Sequence, residues 1–162
     1  MTPINIGILG FGTVGAGVVE TLQKNGELIA NRTGVRPRVY RVADLDITSD
    51  RGVELPADVL TTDAQAVLDD PDTDVVVELI GGTTVAKEFM LKALANGKPV
   101  VTANKALLAE HGAKIFAAAE SSAADVYYEA SVGGGIPVIK AMREGLVGNR
   151  FLEVIEIGRA HV

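Results

Sequence analysis

Near its start the chain reads Ile4-Asn5-Ile6-Gly7-Ile8-Leu9-Gly10-Phe11-Gly12-Thr13-Val14-Gly15. Residues 4–9 have the apolar composition of a short buried strand, and Val14, Val18 and Leu22 recur at the spacing of one helical face. A G-x-G-x-x-G turn between a strand and a helix is typical of dinucleotide binding, whereas the same pattern without that context is weak evidence. The sequence therefore predicts a dinucleotide site here, and a merely tight turn is the alternative.

The three glycines of this turn have separate roles in that interpretation. Gly10 allows the tight turn off the strand, Gly12 lets a pyrophosphate approach the backbone, and Gly15 lets the helix pack closely on the strand. The first helical turn presents unpaired N–H groups and a partial positive charge. We therefore expect the phosphates at the start of this helix.

Composition narrows the class of protein. The 162 residues suit a single domain, with 48% hydrophobic and only 4% aromatic residues. A net charge of −6 argues against a nucleic-acid partner, which requires a basic surface. The chain has no cysteine, which excludes disulfides and thiolate catalysis, and no apolar run approaches the ~20 residues of a membrane span. With no recognisable signal peptide, we expect a soluble, cytoplasmic protein.

Strand-like and helix-like segments alternate along the whole chain. Further strands are predicted at residues 38–44, 59–61, 74–80, 98–102, 125–130 and 151–157. Helices are predicted at residues 13–31, at residues 64–68, after Thr84 with Val85, Phe89 and Leu94 on its inner face, from Lys105, and from Pro137 through Leu146. This alternation predicts an α/β fold of Rossmann type, a doubly wound parallel sheet with helices on both faces.

An acidic residue ends the predicted second strand. In dinucleotide folds such an acid binds the hydroxyls of the adenosine ribose, and Asp44 is the best candidate, with Asp46 as the reserve. Leu45 follows where an arginine would favour a ribose phosphate, so the sequence leans to NAD. Arg41 and Arg51 keep NADP open, and a solvated acid without a ligand is the alternative.

Two other strand ends carry candidate ligand-binding residues. Gly81-Gly82 follow the strand at residues 74–80, where backbone can approach a flat ring, although a simple loop is an equal alternative. Lys105 follows the candidate N-cap Asn104, and a cation there opposes the helix dipole. That placement makes Lys105 a functional candidate, against the alternative of a solvated lysine. Glu78 needs a partner if it is buried, and the sequence names none.

Four motifs in this order carry a resemblance to a known family. They are Gly10-Phe11-Gly12-Thr13-Val14-Gly15, Glu78-Leu79-Ile80-Gly81-Gly82, Val101-Thr102-Ala103-Asn104-Lys105-Ala106-Leu107 and Tyr128-Glu129-Ala130-Ser131-Val132-Gly133-Gly134-Gly135-Ile136-Pro137. Together they resemble the nucleotide-binding domain of homoserine dehydrogenase. The first motif is generic, whereas the third and fourth are specific. The resemblance extends over about residues 4 to 157.

The resemblance implies an oxidoreductase. The family interconverts aspartate semialdehyde and homoserine with NAD or NADP, on the path to threonine, methionine and isoleucine. By resemblance, Lys105 is the family lysine that approaches cofactor and substrate and is the candidate catalytic residue. By the same resemblance, residues around Phe11, Thr13 and Val14 bind the pyrophosphate of the cofactor. Gly81, Gly82 and Thr83 lie near its nicotinamide ring.

The glycine-rich fourth motif implies a metal site. In the family a sodium ion is held by a glutamate carboxylate and by backbone carbonyls of this segment. The matching residues here are Glu129, Val132, Gly134 and Ile136. Ligation by oxygen alone suits such a hard cation.

The resemblance also predicts how the chain is divided. Residues 1–157 form the dinucleotide-binding domain, and the strand at 151–157 leads into a substrate and dimerisation domain that the sequence lacks. Residues 158–162 resemble a cloning remnant. We expect cofactor binding with little or no turnover, and a homo-oligomer for the full-length protein. The alternative is a stand-alone NAD(H)-sensing module without catalysis, which a natural stop after codon 157 would favour.

Overall fold

The computed structural model describes residues 1–155, which form a parallel sheet with helices packed against it. The six strands lie in the order β3-β2-β1-β4-β5-β6, and every neighbouring pair is parallel. The elements in chain order are β1 Thr2–Leu9, α1 Thr13–Thr33, β2 Val35–Ala43, β3 Leu60–Thr61, α2 Gln65–Leu68, β4 Val75–Glu78, α3 Val85–Ala95, β5 Val100–Thr102, α4 Lys105–Ser122, β6 Val126–Tyr127 and α5 Val138–Lys140. Over residues 1–155, no helix is long and apolar enough to cross a membrane.

The sheet has a hydrophobic core on each face. Successive residues of a strand point to opposite sides, so Ile8 faces α1 while Leu9 faces α2, α3 and α4. On the first face Ile8 packs with Ala16 and Val19 of α1. The opposite core is larger and includes Val67, Leu68, Val76, Met90, Leu94, Leu107 and Ile115. The predicted doubly wound α/β fold is confirmed.

The helix boundaries agree with the sequence better than the helix faces do. α1 ends near the predicted position, where Gly34 adopts a left-handed conformation and its N–H donates to the Ala30 carbonyl. Val14, however, is 57% exposed, and Val85 of α3 is 49% exposed, so the prediction that both face the core is wrong. Each lies in the first turn of its helix, beyond the carboxyl ends of the strands, where the side chain has no core to contact.

The predicted strand at residues 125–130 is wrong over most of its length. Only Val126–Tyr127 pair with β5, at Val100 and Val101, and the chain leaves the sheet before it pairs with Thr102. Glu129–Ser131 instead form a turn of 3₁₀-helix. The helix predicted from residue 137 to 146 comprises α5 and a π-helical turn at Ala141–Gly145.

A strand is predicted at residues 151–157, but residues 151–155 do not form one. Residues 151–155 adopt no regular structure and are all exposed, because β6 is the edge of the sheet and no described strand lies beside it. Residues 156 and 157 lie outside the described residues, as does the proposed tail at 158–162. The domain boundary therefore stays a prediction.

Candidate functional site

The glycine turn after β1 is built by two close backbone contacts. Gly10 has φ +100°, and a Cβ added there would lie 2.7 Å from the carbonyl carbon of Leu79 in the neighbouring strand end. A Cβ at Gly15 would lie 2.1 Å from the Gly10 carbonyl oxygen, so only glycine lets α1 start this close to the turn. A Cβ at Gly12 would meet nothing within 4 Å, which leaves the backbone open to a ligand. These surroundings fit a dinucleotide pyrophosphate.

The start of α1 is free to bind an anion. No side chain caps it, and no acidic residue lies in its first turn. The first intrahelical bond is donated by Ala16 to the Gly12 carbonyl, so the N–H groups from Gly12 to Gly15 are left for a ligand, whereas those of Gly10 and Phe11 donate to Ala43 and Asp44. The Phe11 side chain is buried against the α1 side of the sheet and its amide N–H donates to Asp44, so only its backbone carbonyl is left for a ligand.

The predicted ribose acid, Asp44, lies at the carboxyl end of β2 and contacts the glycine turn. Its Oδ2 accepts a hydrogen bond from the Phe11 amide, and its Oδ1 accepts one from the Asp46 amide at 2.8 Å. Each carboxylate oxygen keeps a further lone pair for a ribose hydroxyl. Asp46, the reserve candidate, is instead bound to Arg51 at 2.9 Å, and hydrogen bonds from Ser49 and Thr48 hold the pKa of Asp46 well below its ordinary value.

A cavity of about 500 Å³, here the Asp44 cavity, opens beside this acid. It lies between the carboxyl ends of β1, β2 and β4 and the start of α3. Its lining includes Gly10, Gly12, Asp44, Asp63, Gln65 and Phe89, and within residues 1–155 no lysine or arginine contributes to it. Its apolar walls and two acids suit a neutral ring and the hydroxyls of a sugar.

A smaller cavity of about 280 Å³, here the Lys105 cavity, lies on the other side of the α1 start. It is lined by Val14, Leu79, Gly81, Ala103, Asn104, Lys105 and Ala106. Lys105 is the first residue of α4, as predicted, and Asn104 caps that helix by accepting a hydrogen bond from the Leu107 amide at 3.1 Å. The structure thus brings Val14, Gly81 and Lys105 together, while Gly82 and Thr83 follow on the same turn.

Glu78 is fully buried at the end of β4 and has the partners that the sequence could not name. Its Oε2 accepts a hydrogen bond from the Thr102 hydroxyl at 2.7 Å. Its Oε1 accepts one from the Ile80 amide at 2.9 Å and a longer one from the Gly81 amide at 3.4 Å. The buried charge is therefore paired with three donors, two of which belong to the turn that lines the Lys105 cavity.

The candidate sodium ligands lie beyond β6. Glu129 accepts hydrogen bonds from the amides of Ile139 and Lys140, at 2.9 Å and 2.7 Å, and so holds the start of α5. The Ile136 carbonyl accepts from the Val138 amide at 2.8 Å. Over the described residues, the carbonyls of Val132 and Gly134 accept no hydrogen bond. All four are oxygen donors, which fits a hard cation.

The role of several site residues is not predicted from the sequence. Val85 and Phe89 line the Asp44 cavity, although their helical spacing reads as core, because periodicity does not separate a cavity wall from a packed face. Thr102 is buried, and its carbonyl accepts a hydrogen bond from the Ser131 hydroxyl at 2.9 Å. In the sequence Thr102 is marked only by its place at the end of a predicted strand and within the third of the four motifs.

Known proteins match both the sequence and the fold. The chain is 42% identical to homoserine dehydrogenase of Bacillus subtilis and 48% identical to that of Neisseria gonorrhoeae, each over 157 residues that make up 97% of this chain and 36% of the relative. The crystal structure of a homoserine dehydrogenase from Thiobacillus denitrificans superposes with a TM-score of 0.85 at 50% identity, covering 93% of this chain and 35% of that one. The chain thus spans about a third of the length of the curated relatives it matches.

The sequence also matches a model of a whole protein family. The model described as "Homoserine dehydrogenase, NAD binding domain" covers residues 10–129, from the glycine turn to the acid after β6. Because this is well over half of the sequence, the chain belongs to the homoserine dehydrogenase family as its NAD-binding domain.

Proposed function

We propose that the chain binds one nicotinamide dinucleotide along the carboxyl ends of its strands. The adenosine half occupies the Asp44 cavity, the pyrophosphate lies on the uncapped start of α1, and the nicotinamide half enters the Lys105 cavity. The observation that supports this most strongly is the open position of Gly12 between the two cavities. Asp44 then binds the adenosine ribose, and Gly81, Gly82 and Thr83 border the nicotinamide ring.

We further propose a preference for NAD over NADP. Among the described residues the Asp44 cavity is lined by two acids and by no basic side chain, so a ribose phosphate there would meet like charge. Arg51, one of the two arginines that keep NADP open, is bound to Asp46 and lines a different cavity beside Thr13 and Glu20. Arg41 is bound to Asp70. Neither arginine lines the Asp44 cavity.

For the whole protein we propose the family reaction, the interconversion of aspartate semialdehyde and homoserine. When bound, the nicotinamide supplies or accepts the hydride. Lys105 stands at the mouth of its cavity and, over residues 1–155, forms no ion pair, so its ammonium is available to bind and orient a polar substrate. The chain alone is expected to bind cofactor with little or no turnover. Homo-oligomerisation and a cytoplasmic location stay predictions.

We also propose that the segment after β6 holds sodium. The ion would be bound by the Glu129 carboxylate and the carbonyls of Val132, Gly134 and Ile136. Their oxygen donors support this, but Glu129 already anchors α5, so its loss would weaken the segment with or without an ion. Thermal unfolding in NaCl against choline chloride, at equal ionic strength, separates the two effects. Stabilisation by NaCl in the wild type but not in Glu129→Gln is expected, and equal curves in both salts would contradict a sodium site.

The nucleotide proposal is tested by following thermal unfolding with NADH and with NADPH. A ligand at about 100 times its dissociation constant stabilises the folded state by about 2.7 kcal/mol, so a bound nucleotide raises Tm measurably. NADH is expected to act at lower concentration than NADPH. If neither nucleotide shifts the transition, the proposed function is wrong.

Gly12→Val provides the specific variant for this test. Its backbone has φ −71° and ψ −162°, which a valine adopts, and its added side chain has open space in which to lie. The variant is expected to fold but to lose the nucleotide response, because the side chain occupies the space of the pyrophosphate. Gly26→Val, at another open position of α1 away from both cavities, is the matched control and should retain the response.

A further inference from the structure

We propose that Glu78 is a positioning residue for the nicotinamide end of the site, and that its buried negative charge favours the oxidised cofactor over the reduced one. This inference rests on the proposed function, since it requires nicotinamide in the Lys105 cavity. Glu78 touches neither cavity itself and acts through the backbone and side chains that it binds.

Glu78 first fixes the turn that follows β4. Its hydrogen bonds to the amides of Ile80 and Gly81 reverse the chain directly after the strand. Gly81 and Gly82 then both take positive φ values, of +80° and +70°. Because the carboxylate is fully buried, these bonds are little screened by water. The hydrogen bond from the Gly81 amide to Glu78 thus fixes the part of the Lys105 cavity wall that Gly81 forms.

Glu78 also fixes the start of α4 through Thr102. The Thr102 hydroxyl donates to Glu78 and accepts a hydrogen bond from the Asn104 amide at 3.0 Å. The Asn104 side chain in turn donates to the Gly82 carbonyl at 2.8 Å. A closed network therefore joins the ends of β4 and β5 and sets the position from which Lys105 extends.

The charge of Glu78 distinguishes the two redox forms of the cofactor. The oxidised nicotinamide ring carries a positive charge, whereas the reduced ring is neutral. Lys105 repels the oxidised ring across the cavity, and Glu78 beneath the Gly81 wall attracts it. Charges in a partly buried site interact more strongly than in water, so one buried unit charge changes the affinity ratio on the order of tenfold.

The test measures dissociation constants of NAD⁺ and NADH separately, with ADP-ribose as a probe that lacks nicotinamide. Glu78→Gln keeps the size of the side chain and removes its charge. We expect the ratio of the NAD⁺ constant to the NADH constant to rise about tenfold, with ADP-ribose binding unchanged. Glu120→Gln removes an exposed carboxylate of α4 and should leave the ratio unaltered.

A second variant separates charge from position. Thr102→Val keeps the shape and the Glu78 charge but breaks the network, so it should weaken NAD⁺ and NADH by the same factor. An unchanged ratio in Glu78→Gln would overturn the role of the charge, and unaltered NADH binding in both variants would overturn the positioning role. If the wild type binds ADP-ribose, NAD⁺ and NADH equally poorly, the proposed function itself fails.

Discussion

Gly12 and Gly15 stand three positions apart in one turn, yet a methyl group at each would meet opposite surroundings. At Gly15 the added carbon would lie 2.1 Å from the Gly10 carbonyl oxygen, whereas at Gly12 it would meet nothing within 4 Å. The motif thus combines one glycine required for packing with one that keeps space for a ligand. The sequence predicts both roles, since strand, turn and helix follow each other without interruption.

Gly15→Ala is expected to destabilise the fold by about 1–3 kcal/mol, because backbone must shift to accept the added carbon. Urea denaturation measures the change as a lower midpoint. Gly12→Ala is the matched control and should remain within about 0.5 kcal/mol of the wild type. Equal midpoints for the two variants would show that α1 is not held against the turn by this contact.

Single buried polar residues are the part of the site that sequence predicts least. Glu78 stands out in an apolar strand, but its partner Thr102 lies on another strand, and only the register between β4 and β5 brings them side by side. Asp44, in contrast, is predictable from the sequence, because dinucleotide folds place an acid at the end of the second strand. Its hydrogen bond to the Phe11 amide nevertheless requires the structure.

At the scale of elements, polar contacts hold the turn between α2 and β4. Asp70 accepts hydrogen bonds from Arg41 and Tyr40 of β2, and the buried Lys98 donates to the carbonyls of Asp70 and Thr73. The Arg41 guanidinium holds the pKa of Asp70 below its ordinary value. The turn therefore depends on a charged carboxylate.

This dependence predicts lower stability in acid. A carboxyl whose pKa is lowered by folding stabilises the protein fully above its unfolded pKa of about 4, and that contribution is lost as pH falls through the lower folded value. Asp70→Asn should therefore reduce the slope of unfolding free energy against pH between about pH 5 and pH 2. Urea denaturation at several pH values measures it, with the exposed Asp72→Asn as control. An unaltered slope in Asp70→Asn would contradict the prediction.

Elements are predicted well where periodicity and packing agree and poorly at the edge of the sheet. α4 follows from its N-cap Asn104 and α1 from the glycine turn that precedes it, and all four central strands lie within their predicted ranges or close to them. β6 is shorter than its sequence suggests, because the chain turns into the 3₁₀-helix at Glu129–Ser131 before it reaches the end of β5. The strand predicted after residue 150 lacks a neighbour in the described sheet altogether.

For the whole molecule, burial decreases from the centre of the sheet toward the end of the described chain. Ile8 and Val76 are fully buried, whereas Leu146, Val147, Phe151 and Leu152 are exposed although they are apolar. Of the residues from 141 to 155, only Met142 is partly buried. The central strands whose ends form the site are thus well buried, whereas residues 141–155 are almost entirely exposed.

Native-state hydrogen exchange should follow this gradient. Amides of β4 and of residues 6–9 of β1 are expected to exchange only by global unfolding, because these residues lie inside the sheet between paired strands and beneath packed helices. Amides from residue 141 onward should exchange by local opening, at rates largely insensitive to low urea concentrations. Comparable protection in both regions would mean that the terminal segment is held by contacts stronger than those described.

β1 pairs with β2 on one side and with β4 on the other, so the strand made before the other five described strands is a central strand of the finished sheet. β2 follows it after a single helix, but β4 arrives only after β2, β3 and α2. Loop-closure entropy makes such non-local parallel pairing slow. During synthesis, β1 must therefore remain unpaired on its β4 side until Val75–Glu78 has left the ribosome. The turn of Gly10, which packs on Leu79, reaches its final form only at that late step.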